Sequence, residues 1–265
     1  MFLDFVFLGK NIHPYGIMCS LGIAISLIFA YWLAKRKKFE FFDFSLVVIV
    51  TLLSALVGSK LLFIIVSIET ISFLFSNYSF WQALLSIVQG GFVFYGGLIG
   101  AVIGLFLTTK IKKVHFSDYA NIFALVLPLG HAFGRIGCFF AGCCYGCEYN
   151  GFLSYTYASA LDASTPLGIP LLPIQLIESA SLFILFASMF VCYIKKKENL
   201  ICYIYLLAYS KIRFVLEFYR GDLERGLFLS LSTSQWISLS IFAATLFYLV
   251  VKKIIKLKHK KISNS

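Results

Sequence analysis

Apolar residues run in long blocks along this chain, and short polar stretches between them hold most of the charge. Seven blocks reach the length of about 20 residues that a helix needs to cross a ~30 Å hydrocarbon core. They cover about 15–34, 44–67, 90–109, 119–140, 173–194, 200–219 and 233–251. The pattern predicts an all-α polytopic membrane protein with about seven transmembrane helices. The stretches between, around 68–82, 141–172 and 220–232, carry turn signals such as Ser76-Asn77, Thr165-Pro166 and Gly221-Asp222. No tandem repeat or low-complexity linker interrupts the order, so residues 1–265 read as one integral-membrane domain with a basic tail at 252–265. The first ten residues lack a basic start and a small-residue cleavage site, and no removable signal peptide is expected.

Composition agrees with that reading. Of the 265 residues, 60% are hydrophobic and 13% charged, with mean hydropathy +0.89; a soluble domain has about half and a quarter. A soluble enzyme, a disordered chain and a nucleic-acid module are excluded. The net charge of +11 does not restore the last of these, because 16 of the 23 Lys and Arg fall in four clusters, 35–38, 110–113, 195–197 and 252–261. Each cluster follows an apolar block, the positive-inside pattern of cytoplasmic loops. Seven crossings put all four on one side, with the N-terminus outside and the C-terminus in the cytoplasm. The basic tail is expected to meet anionic membrane lipids, or simply to be a solvated charge run that enforces topology.

Polar groups inside the blocks are the candidate chemistry, since a charge at membrane depth costs roughly 2.5–3.5 kcal/mol on insertion scales. In the sixth block Tyr209, Arg213 and Glu217 follow at i, i+4 and i+8 and share a helix face, with Arg220 just beyond. Arg213 and Glu217 can neutralise each other and leave guanidinium donors over; the plainer alternative is an ion pair that only fixes packing. In the fourth block His131 and Arg135 stand at i, i+4, among Gly130, Gly134 and Gly137, which allow close backbone approach. Two arginines on different helices suit a phosphodiester head group, because the planar guanidinium matches phosphate bidentately. The third block runs from Gln89-Gly-Gly through Tyr95-Gly-Gly to Gly104. Its Gly96, Gly100 and Gly104 form a small-residue packing face, and its paired glycines permit a break. The fifth opens on Pro173, with Gln175 and Glu178 on one face. Lys60 in the second block is expected to snorkel or to pair with a carboxylate.

In order and spacing these segments resemble the prolipoprotein diacylglyceryl transferase family. Tyr15-Gly16, Gln89-Gly-Gly…Tyr95-Gly-Gly-Leu-Ile-Gly100, Gly134-Arg135-Ile-Gly137 with Phe139 and Gly142, Pro173…Gln175…Glu178, Tyr209…Arg213…Glu217-Phe-Tyr-Arg220 and Ser234-Gln235-Trp236 carry the resemblance through nearly the whole chain. It implies a bacterial cytoplasmic (inner) membrane enzyme that moves the diacylglyceryl group of phosphatidylglycerol to the lipobox cysteine of prolipoprotein signal peptides. A thioether forms and glycerol phosphate leaves. Arg135 and Arg213 would hold the phosphate, with Gln89, Gln175, Glu178 and Arg220 as further substrate contacts and Tyr209 and Glu217 beside the second arginine. The nucleophile comes with the peptide, so no cofactor and no metal is expected. This chain departs from the family's pattern at several positions. Tyr95 stands where the family has a histidine, and Cys138, Ala141, Cys143, Leu172 and Ile177 replace other polar or aromatic residues. His131, the one histidine inside a block, is the expected replacement base, with Tyr95 assisting.

Four cysteines, Cys138, Cys143, Cys144 and Cys147, crowd the end of the fourth block. Their spacing lacks the two paired knuckles of a structural zinc site. Cys144-Tyr-Gly-Cys147 has redox spacing, which leaves a membrane thiol oxidoreductase as an alternative function; a paralogous head-group transferase with another acceptor and a transporter are others. A disulfide within the cluster is another reading, and small residues closing a tight turn are the plainest. Cys19, Cys192 and Cys202 are scattered and read as small packing residues.

Overall fold

The computed structural model describes residues 5–7, 10–222 and 227–263. A short hairpin, β1 (Phe5–Phe7) with β2 (Lys10–Ile12), precedes α1 (Pro14–Arg36), α2 (Phe41–Val66), α3 (Ile68–Asn77), α4 (Phe80–Gln89), α5 (Phe94–Ile111) and α6 (Phe116–Ala141). A loop with the two-residue pair β3 (Tyr155–Thr156) and β4 (Pro170–Leu171) leads to α7 (Ile174–Ile194) and α8 (Ile201–Glu217). A second small pair, β5 (Leu227–Phe228) with β6 (Leu231–Ser232), opens into α9 (Thr233–Ser263). Among the described residues seven helices are long and apolar enough to cross a membrane, one for each expected block. Large apolar side chains such as Ile28, Phe42, Ile184 and Phe247 stand exposed on them, as on surfaces that face lipid.

Three local departures from expectation have plain causes. The stretch around 68–82 holds the helix α3 and the start of α4, each helix ten residues and too short to span. Ser79 and Gln82 form a capping box that starts α4, the Ser79 N–H donating to Gln82 Oε1 at 3.3 Å. The third span starts at Phe94 rather than 90, because extended backbone at Gly90 ends α4. At the C-terminus α9 continues through the basic tail to Ser263, since lysines are good helix formers and neither Gly nor Pro intervenes; residues 264–265 lie outside the described residues, as do 223–226 of the stretch 220–232.

Contacts divide the chain into two units, residues 31–120 and residues 1–30 with 121–265. In the first, α2 lies directly on α5. A Cβ on Gly96 or Gly100 would strike the backbone of Gly58 or Ser54, so the small-residue face is a packing surface as expected. Among the described residues Lys60 pairs with main-chain carbonyls and not with a carboxylate. Its ammonium donates to the carbonyls of Ile87 (2.8 Å), Val88 (3.2 Å) and Gly90 (2.9 Å). It thereby caps the C-terminal end of α4, where unpaired carbonyls and the helix dipole both favour a cation. At the basic ends Lys37 pairs with Asp118 (3.3 Å) and Lys112 with Asp43 (2.7 Å).

In the second unit α6 is the central element. Its Gly130 and Gly137 admit α1: a Cβ on Gly130 would lie 2.8 Å from Ser26 Oγ, and one on Gly137 would lie 3.2 Å from the Tyr15 ring. At Gly134, expected to serve the same purpose, an added Cβ would meet nothing within 4 Å beyond its own turn among the described residues and would face open space. Ser179 of α7 donates to Ala132 O at 3.0 Å, and Asn121 Oδ1 accepts from the Cys202 N–H at the start of α8. These polar ties stand where apolar contact alone gives little orientation.

Candidate active site

The polar residues of three helices converge on Glu178, which is 1% exposed near the start of α7. Its Oε2 lies 3.0 Å from Arg135 Nε of α6 and 3.7 Å from Arg213 Nη1 of α8. Its Oε1 accepts from the Tyr209 hydroxyl at 3.3 Å and lies 3.9 Å from His131 Nε2. Arg213 Nη2 meets Glu217 Oε2 at 2.7 Å within its own helix, the expected i, i+4 pair, and reaches Ser234 Oγ of α9 at 3.4 Å. Glu217 Oε1 accepts from the Ser232 hydroxyl at 2.9 Å. The Tyr209 ring meets His131 edge-on at 5.4 Å and stacks on Tyr205 at 5.6 Å. His131 and Arg135 thus share one face of α6, Tyr209, Arg213 and Glu217 one face of α8, and α7 supplies the carboxylate between them.

Two cations balance two anions here, so the cluster is buried without net charge while His131 is neutral. Its hydrogen bonding is incomplete. Arg135 Nε and Arg213 Nη1 face Glu178 as charges yet make no well-directed hydrogen bond, and both are buried. Buried polar groups in a finished core are almost always satisfied. Two guanidinium groups gathered at one point suit an anion with two acceptor oxygens.

Of the remaining candidates, Gln175 and Arg220 belong to the same unit as this cluster, and Gln89 and Tyr95 to the other. Gln175 Nε2 donates to Cys143 O at 2.7 Å and to the Tyr157 hydroxyl at 3.3 Å, tying α7 to the loop after α6. Arg220 makes a two-pronged pair with Asp222, at 2.7 and 2.6 Å, and its guanidinium also reaches Cys144. Although desolvation works against its charge, the contact with Asp222 holds Arg220 above the ordinary guanidinium value. In the other unit Gln89 is the last residue of α4, and Tyr95 stands in the first turn of α5, its ring 5.8 Å from that of Phe94. The loop from Gly142 to Leu172 folds over a small core of Tyr145, Tyr157 and Leu171, and burial pushes the Tyr157 phenol up. Of the four clustered cysteines, Cys138, Cys143 and Cys144 bring their sulfurs within 4.8 Å of one another; Cys147 does not belong to that group. All four are free thiols.

The sequence reading missed the part played by Glu178. It placed that residue beside Gln175 as a substrate contact, whereas its carboxylate joins Arg135 to Arg213. Ser232 and Ser234, which hold Glu217 and Arg213, were also missed; the Ser234-Gln235-Trp236 motif was their one signal.

Fold and site together define a multi-pass membrane protein with a buried arginine pair built around carboxylates. The chain belongs to the prolipoprotein diacylglyceryl transferase family, whose model matches residues 4–251. It is 31% identical over 260 residues to phosphatidylglycerol–prolipoprotein diacylglyceryl transferase 2 of Clostridium perfringens, covering 96% of this chain and 94% of that protein. To phosphatidylglycerol–prolipoprotein diacylglyceryl transferases of Clostridium tetani and Clostridium novyi it is 35% identical over 240 residues (89% and 91% covered) and 31% identical over 265 residues (96% of each). The family is one of transferases, and the sequence resemblance is borne out over nearly the whole chain.

Proposed function

We propose that the protein transfers the diacylglyceryl group of phosphatidylglycerol to the lipobox cysteine of prolipoprotein signal peptides in the bacterial cytoplasmic membrane. The observation that carries this reading is the pair Arg135 and Arg213, brought from two helices to one buried carboxylate oxygen. Arg135 and Arg213 bind the lipid phosphate. Negative charge on the phosphate grows as the carbon–oxygen bond breaks, so the same contacts strengthen in the transition state. Glu178, Glu217 and Tyr209 keep the two guanidinium planes oriented. His131 takes the proton from the peptide thiol, the sulfur attacks the glycerol carbon, and glycerol phosphate departs with the bonding electrons. The four basic clusters support an orientation with the N-terminus outside and the C-terminus in the cytoplasm. Complementation of a strain depleted of its own transferase tests the reading, with lipoprotein electrophoretic mobility as readout. Restored lipidation by the wild type and its loss with Arg135→Ala are expected. Growth without lipidation would overturn it.

A further inference from the structure

The cysteines at the end of α6 have no part in that reaction, and their arrangement is more specific than turn closure requires. Cys138 lies on the last turn of α6, and Cys143 and Cys144 lie in the turn that follows. Their three Sγ atoms are mutually within 4.8 Å. A tetrahedral ion bound at about 2.3 Å per thiolate places its sulfurs about 3.8 Å apart, so the three are close to a shared coordination shell. We propose that Cys138, Cys143 and Cys144 form a three-thiolate site for a soft closed-shell cation, Zn²⁺ or Cu⁺.

The backbone holds the sulfurs in that grouping. Gly142 turns the chain with φ +72°, and Cys144 itself sits at φ +59°, a left-handed conformation unusual for a residue with a side chain. Hydrogen bonds from Gly142 N–H to Phe139 O (3.1 Å) and from Cys143 N–H to Cys138 O (3.2 Å) close the turn. Gln175 anchors it from α7 through Cys143 O at 2.7 Å. The donor set then selects the ion. Sulfur ligands favour Zn²⁺ and Cu⁺ over Mg²⁺ or Ca²⁺, which require oxygen. Three thiolates leave one negative charge on Zn²⁺ and two on Cu⁺, and Arg220, fixed by Asp222 and reaching Cys144, lies where it offsets that charge. A disulfide would use two of the three sulfurs and leave the third unexplained. An ion here would tie the end of α6, three residues beyond Arg135, to the loop and through Gln175 to α7. This is a structural clamp that does not depend on the reaction assigned to the arginines.

The full chain, purified in detergent, reduced and stripped with chelator, is titrated separately with Zn²⁺, Cu⁺ and, as an optical probe, Cd²⁺. The expected result is saturation at a single equivalent, a sulfur-to-cadmium charge-transfer band, and protection of Cys138, Cys143 and Cys144 from alkylation while Cys147 still reacts. Competition between Zn²⁺ and Cu⁺ under reducing conditions identifies the preferred ion. Each of Cys138→Ser, Cys143→Ser and Cys144→Ser is expected to lower affinity by about tenfold or more, with Cys147→Ser unchanged. A rise in the wild-type melting temperature on adding metal provides a readout independent of any variant. The proposal is overturned if no charge-transfer band develops and metal protects none of the three thiols. It is equally overturned if the protein isolated without reductant carries a disulfide within the trio and the reduced form takes up no metal.

Discussion

Arg135 of α6 and Glu178 of α7 meet at 3.0 Å in the interior of the helix bundle, and the same Glu178 oxygen lies 3.7 Å from Arg213 of α8. One carboxylate oxygen therefore sets the positions of both guanidinium groups. Removing its charge leaves two cations facing each other out of water. Glu178→Gln is expected to cost about 3–5 kcal/mol of stability, the usual result of breaking a buried pair from one side. Glu217→Gln should cost less, because Glu217 engages one arginine and retains a hydroxyl partner in Ser232. Thermal unfolding in detergent ranks the two; equal losses would show that Glu178 is not the centre of the cluster.

Arg135→Lys is expected to be nearly as damaging to lipidation as Arg135→Ala. An ammonium supplies charge without the planar fork that grips two phosphate oxygens. Either change should remove about 2–3 kcal/mol of transition-state stabilisation, roughly 30- to 150-fold in rate. Single-turnover lipidation measures this, and a Lys variant with wild-type rate would contradict it.

The two partners of the α8 ion pair should differ. On the proposed function Arg213→Ala removes a phosphate ligand, whereas Glu217→Gln leaves the guanidinium in place, still 3.7 Å from Glu178 and 3.4 Å from Ser234. Activity is expected to fall further in Arg213→Ala. Equal inactivity of the two, in protein shown to be folded, would assign Glu217 a direct chemical role instead.

How much of this was legible in the sequence follows from the range of each interaction. The seven spans follow from hydropathy alone, and the Arg213–Glu217 pair follows from its i, i+4 spacing, because both are local. The Arg135–Glu178 contact joins separate helices, and no periodicity announces such a pair. The partners of Lys60 were hidden for a related reason: they are main-chain carbonyls at the end of α4, which no side-chain pattern records. The helix α4 itself was signalled by Ser79-Phe-Trp-Gln82, a capping box obscured by the turn signal just before it. The grouping of Cys138 with Cys143 and Cys144, rather than Cys144 with Cys147, depends on left-handed backbone at Gly142 and Cys144. Spacing rules for paired knuckles do not cover that turn.

Two glycines of the second unit should respond in opposite ways to an added methyl group. At Gly22 a Cβ would lie 2.7 Å from Phe133 Cβ and 2.9 Å from Gly130 O, so Gly22→Ala forces α1 away from α6 and is expected to cost about 1–3 kcal/mol. A Cβ at Gly134 would meet nothing within 4 Å beyond its own helix turn, and Gly134→Ala should be neutral or stabilising by up to about 1 kcal/mol through helix propensity. If the open space beside Arg135 receives the lipid head group, the same Gly134→Ala protein should nonetheless show a raised KM for phosphatidylglycerol. Unfolding curves and lipid titrations separate the two effects, and an unchanged KM would place the head group elsewhere.

The last expectation concerns proton transfer. Thioether formation needs a thiolate, and an unperturbed thiol, with an ordinary value near 8.5, is mostly protonated at neutral pH, so a base or a strong positive field must act. Tyr95 stands where the family has histidine, and a phenol is a poorer proton acceptor than an imidazole. His131 is well situated. It stands one turn before Arg135 on the same face of α6, its ring meets Tyr209 at 5.4 Å, and its Nε2 lies 3.9 Å from Glu178. An imidazole held there can accept the thiol proton as the sulfur attacks a lipid bound at Arg135. His131→Gln keeps a similar side-chain size and supplies a hydrogen-bonding amide but cannot take up a proton. Its rate is expected to fall by about 10²–10⁴-fold, the usual contribution of a general base. The sign of the pH dependence follows from the chemistry. Only neutral imidazole accepts a proton, so the wild-type rate declines toward acid pH, and in His131→Gln that limb should disappear. Because Gln is uncharged, a merely structural role would lower stability and leave the shape of the profile intact. Lipidation rate against pH, measured alongside the melting temperature of both proteins, distinguishes the cases. A His131→Gln enzyme with a normal rate and an unchanged acid limb would leave the arginine field alone to activate the thiol.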